Sequence, residues 1–89
     1  MNNQKIFKWS CDNESNSASC FFVGKNYLEM SETKLGLNYL QRSCDLKYGL
    51  GCWELGAYYE KMGNLLLAKK FKDKGCKLDI KDLCALRNK

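Results

Sequence analysis

Cysteines recurring at a fixed interval constrain this chain more than any other feature. Cys44 and Cys76 are 32 residues apart, and so are Cys52 and Cys84. Gly24 and Gly56, Tyr27 and Tyr59, and Met30 and Met62 keep the same interval of 32. A constant period of this length is the mark of stacked structural units. Aligned at that period, residues 27–39 lie against residues 59–71, with small Gly36 opposite Ala68 and aromatic Tyr39 opposite Phe71.

A chain of 89 residues forms one domain with a small core and needs additional support. Its six cysteines fall into neighbouring pairs, Cys11 with Cys20, Cys44 with Cys52, and Cys76 with Cys84. Six cysteines allow fifteen connectivities. The recurring interval of eight residues, nine in the first pair, picks out three local disulfides. Zinc ligands usually sit closer, two to four residues apart, so bridges are preferred to a metal site.

Disulfides persist in oxidising compartments, which predicts a periplasmic or secreted protein. Residues 1–11 nevertheless carry no apolar run or cleavage site of a signal peptide. An export signal replaced by Met1, export by another route, or thiols that stay reduced would each reconcile the two, and the first is preferred. No apolar run reaches the length of a membrane span.

The hydrophobic pattern is helical throughout. Residues 3–10, with Ile6, Phe7 and Trp9, predict a truncated helix, and residues 12–19 a polar loop in which Asp12, Asn13 or Ser15 caps the next helix. Cys20, Val23, Gly24 and Tyr27 mark one helical face; Leu35, Tyr39 and Leu40 mark a second. Gly49 and Gly51 read as breakers before a helix through Cys52, Leu55, Gly56 and Tyr59. Gly63 and Asn64 make a turn, Leu65 to Cys76 a further helix, and Asp79 to Lys89 a short closing one. The chain has no proline and no alternating strand pattern, so the expected class is all-α, with Gly24 and Gly56 nesting against Gly36 and Ala68.

Two segments then carry a resemblance, Cys52-Trp-Glu-Leu-Gly-Ala-Tyr-Tyr59 and Ala68-Lys-Lys-Phe-Lys-Asp-Lys-Gly-Cys76. With cysteines eight apart joining successive units, residues 11–86 resemble the Sel1-like repeats of the Helicobacter cysteine-rich proteins, relatives of the tetratricopeptide repeat. The resemblance implies a short right-handed α-solenoid of antiparallel helix pairs, stapled by disulfides. Its parts would be a half repeat over 1–11, repeats over 12–44 and 45–76, and a closing helix over 77–89. The period of 32 and the brief turn at residues 61–64 make this a small, divergent member.

Catalysis has little to work with. There is no histidine, the commonest general base, so a cysteine nucleophile lacks its usual partner. Ser31 and Lys34 match the Ser-x-x-Lys of penicillin-recognising serine enzymes, but Ser-Asp-Asn and Lys-Thr-Gly are missing. Ser31 aligns with Gly63 and therefore reads as turn chemistry. The family resembled is associated with penicillin binding and weak β-lactam hydrolysis, which leaves a hydrolase as the alternative reading.

A non-catalytic role binding a protein or peptide is preferred, with no cofactor. In stacked helix pairs the first helices line the concave face. The stripes expected there are Ala18, Phe21, Lys25 and Leu28 in one unit, and Leu50, Trp53, Ala57 and Glu60 in the next. Phe21 and Trp53 would anchor a partner, and Lys25 and Glu60 would orient it. The competing reading has both aromatics filling space between units.

The ends of so short a stack invite a partner or a second copy. The net charge of +5 is uneven: residues 61–89 hold nine Lys/Arg against three Asp, a net +6, and the remainder is close to neutral at −1. Lys69, Lys70, Lys72 and Lys74 lack exposed aromatic neighbours, so nucleic-acid binding is disfavoured. That basic end reads first as the solvated face of a helix.

Overall fold

A computed structural model of the chain describes residues 3–78. Within them lie α1 (Asn3–Glu14), α2 (Ser17–Glu29), α3 (Thr33–Asp45), α4 (Gly49–Lys61) and α5 (Leu65–Leu78), with no strand among the described residues. Cys84 and most of the expected closing helix fall outside that range.

The turns between helices follow the sequence period. Left-handed backbone occurs at Ser15 and Lys47, and again at Ser31 and Gly63, each pair 32 residues apart. Residues so placed reverse the chain within two or three positions, folding α2 on α3 and α4 on α5 as helical hairpins. α1 packs on α2, and α3 on α4, which joins the parts in chain order. The packing is compatible with a helical repeat.

Inside each hairpin the helices meet at small residues, as the alignment predicts. A Cβ on Gly24 would lie 3.0 Å from the Gly36 carbonyl oxygen; one on Gly56 would lie 2.9 Å from that of Ala68. Above these approaches the aromatics pair equivalently, Tyr27 with Tyr39 at 5.7 Å between ring centres and Tyr59 with Phe71 at 5.8 Å. One core cluster gathers Phe21, Leu40, Cys44, Cys52, Leu55 and Phe71 across both hairpins. Cys11, Cys20, Val23 and Tyr39 form a second beneath α1.

Two of the expected bridges are present, Cys11–Cys20 and Cys44–Cys52, with Cα atoms 4.8 and 4.5 Å apart. Each joins the end of one helix to the start of the next, across the links between α1 and α2 and between α3 and α4. Cys76 is buried and also disulfide-bonded. The expected Cys76–Cys84 pairing lies outside the described residues. These bridges point to an oxidising setting outside the cytosol.

Three local expectations are corrected. α1 continues to Glu14, well into the stretch expected to be a loop, and the cap of α2 is Asn16, whose side chain accepts from the Ser19 amide at 3.0 Å. Two of the residues expected to cap are otherwise engaged: Asp12 holds Lys8, Tyr39 and Arg42, and the Asn13 amide donates to the Trp9 carbonyl. Gly49 and Gly51 do not break the chain but form the buried first turn of α4. Gly51 sits against Ser43, and the Gly49 carbonyl is 2.7 Å from where a Cβ on Gly75 would stand. Their smallness serves helix approach.

Candidate partner-binding groove

The hairpins leave a groove between α2 and α4, because α4 is committed on two other sides. One side holds Leu55 in the core, and another holds Gly56 and Tyr59 against α5. The remaining stripe is Glu54, Ala57, Tyr58 and Lys61, at the i, i+3, i+4 and i+7 spacing of one helical face. Met62 extends it past the helix end, and Leu28, Ser31 and Thr33 form the opposite wall. Together they bound an open groove of about 550 Å³.

Ala57 keeps the middle of the stripe low, while Tyr58, Leu28 and Met62 offer apolar and aromatic surface. Glu54 and Lys61 supply opposite charges about two turns apart. Near the groove Lys25 reaches from α2 to Glu54, Nζ to Oε1 at 3.9 Å. The pair ties the two hairpins together where both side chains remain partly open to solvent, so it contributes little to stability.

The four residues expected to bind a partner are not gathered in one place. Phe21 is buried in the core against Tyr48, with ring centres 5.4 Å apart, and fills space between the hairpins. Lys25 is exposed, beside Glu54 and 5.5 Å from the Phe21 ring centre. Trp53 and Glu60 turn toward α5, where Lys72 runs between them: its Nζ is 4.8 Å from the Trp53 ring centre and 2.7 Å from Glu60 Oε1.

Of the expected stripes, Leu28 and Ala57 do line the groove, and Glu54, Tyr58 and Lys61 take the places assigned to Leu50, Trp53 and Glu60. A sequence signal for this rotation existed. Ala68, Phe71, Lys72, Gly75 and Cys76 form one buried stripe of α5, and a lysine on such a stripe demands a carboxylate opposite it.

Ser31 lines the groove from the α2–α3 turn, at φ 64°, before α3 begins at Thr33. Ser31 and Lys34 therefore do not share a helix, as the Ser-x-x-Lys chemistry requires. No cluster of three or more potential metal ligands occurs among the described residues. No described helix is long and apolar enough to cross a membrane. Comparison with protein-family models, with curated proteins and with solved structures returned no match.

Proposed function

We propose that the chain is a non-catalytic binding module, periplasmic or secreted, that takes an extended segment of another protein in the groove between α2 and α4. It would be a small, divergent relative of the Sel1-like repeats with a right-handed course of helix pairs. The observation that carries this reading is the groove itself: a low floor at Ala57, an apolar wall at Leu28 facing an aromatic one at Tyr58, and charges of both signs at Glu54 and Lys61. Such a surface suits a peptide, since aromatic anchors supply affinity and flanking charges fix direction.

The test is selection from a displayed random-peptide library on the immobilised oxidised protein, followed by titration of enriched peptides. Ala57→Arg fills the floor without touching the core, and Tyr58→Ala removes the wall. Both should weaken enriched peptides at least tenfold while helicity is kept. Enrichment of nothing, or of peptides indifferent to both variants, would defeat the reading.

Ser31 in the groove wall is the one observation favouring the hydrolase alternative. Turnover of a chromogenic β-lactam that disappears in Ser31→Ala would establish it; no turnover removes it.

A further inference from the structure

The α4–α5 turn carries apolar side chains that the fold does not use. Leu65 is 67% exposed and Leu66 85%. In the α2–α3 hairpin, 32 residues earlier, the positions of Leu65 and Leu66 are held by Thr33 and Lys34. The hairpin therefore closes as well with polar residues at both sites, and the leucines need another explanation.

Charge differs between the two turns in the same way. Residues 61–70 contain Lys61, Lys69 and Lys70 and no acid, whereas the equivalent residues 29–38 contain Glu29, Glu32 and Lys34. Lys69 is partly balanced by Asp73 at 2.8 Å; Lys70 lies beside Phe71 on the exposed side of α5. Around Gly63 there is nothing within 4 Å of where a Cβ would stand, so that side of the turn faces open space. A turn with exposed leucines and a lysine collar differs from the concave pockets in which protein hot spots sit. It matches the interfacial zone of a bilayer, which accepts apolar side chains to a shallow depth and attracts lysines to anionic headgroups.

We propose that the α4–α5 turn docks on an anionic lipid surface, with Leu65 and Leu66 entering the headgroup boundary and Lys69 and Lys70 facing lipid phosphates. This goes beyond the groove reading and does not rest on it. Binding is peripheral and reversible, since two leucines and a few lysines give only marginal membrane affinity.

The experiment is flotation of the oxidised protein with vesicles of phosphatidylcholine and phosphatidylglycerol, against phosphatidylcholine alone, at low and high salt. Wild type should float with the anionic vesicles and lose them as salt rises. Leu65→Thr with Leu66→Ser, which restores the polarity of the other hairpin, should weaken partitioning by about tenfold or more. Lys70→Gln should weaken it about fivefold, and keeps the test alive should the leucine variant lose its helical circular dichroism.

Failure of wild type to float, equal flotation with neutral vesicles, or flotation untouched by both variants would overturn the proposal. So would self-association in sedimentation that the leucine variant abolishes while vesicles are ignored.

Discussion

Lys72 Nζ lies 2.7 Å from Glu60 Oε1, joining a lysine side chain only 8% exposed to a carboxylate that is 46% exposed. The aliphatic stem of Lys72 crosses α4 at Gly56, and its ammonium also meets the face of Trp53. Glu60→Ala leaves that ammonium short of its counter-charge and should cost about 1–2 kcal/mol, below the figure for a fully buried pair because Glu60 is half open to water. Lys72→Met keeps the stem and removes the charge, and should change stability by less than about 1 kcal/mol. Adding Lys72→Met to Glu60→Ala should recover most of the loss. Urea midpoints of the four proteins decide it.

Asp12 accepts from Lys8, Arg42 and Tyr39, bracing α1 against α3. The Lys8 bond is the main cause that lowers its carboxyl from the ordinary 3.8 to about 2, against desolvation, with Arg42 and Tyr39 adding to the fall. A lowered folded-state value means that the stabilisation is present above the ordinary value and lost as pH falls through about 4 toward about 2. The Asp12 side chain is 32% exposed, so solvent screens the interaction and the effect is modest. Asp12→Asn should flatten the acid limb of a stability–pH curve over that window. A limb as steep as wild type would show that Asp12 does not brace α1.

Gly56→Ala puts a methyl 2.9 Å from the Ala68 carbonyl oxygen and 3.0 Å from the Lys72 amide nitrogen. Both are backbone atoms, so relief requires α4 and α5 to separate, at a cost of about 1–3 kcal/mol. A domain of this size loses roughly 4–8 °C of thermal midpoint per kcal/mol. Gly63→Ala meets no neighbour but must hold φ 85°, and should cost about 1 kcal/mol. Thermal scans of the two variants should therefore place Gly56→Ala at or below Gly63→Ala.

Replacing Cys44 and Cys52 by serine removes the bridge between α3 and α4, with a sequence separation of 8. The loop-entropy relation gives roughly 2–3 kcal/mol for a loop this short. Because both sulfurs lie in the core shared by the hairpins, the whole fold should feel the loss. The Cys11–Cys20 pair holds only α1 against α2, so its removal should raise amide exchange in α1 while α4 and α5 stay protected.

The hairpins were legible because their determinants repeat. Gly24 and Gly56 against Gly36 and Ala68, and Tyr27 and Tyr59 against Tyr39 and Phe71, each state the same contact twice at an interval of 32. What did not repeat was harder to read. Gly49 and Gly51 have serines, Ser17 and Ser19, as their counterparts 32 residues earlier, and a glycine near a helix start can equally break the chain or admit a neighbour.

The facing of α4 was harder to read for a different reason. Successive helical residues are about 100° apart, so assigning the free stripe of α4 one position away exchanges Trp53 for Glu54. The buried Lys72, which meets both Trp53 and Glu60 on the α5 side, marks that rotation.

Both described bridges span short loops, with separations of 9 and 8, and neither ties one end of the chain to the other. Each can close as soon as its own two cysteines have left a ribosome or a translocation channel, before the next hairpin follows. Oxidation can thus proceed in step with emergence, so that most of the fifteen connectivities never compete. A unit inserted between existing ones would bring its own staple and leave the others undisturbed, which makes the length of such a chain free to change by whole hairpins.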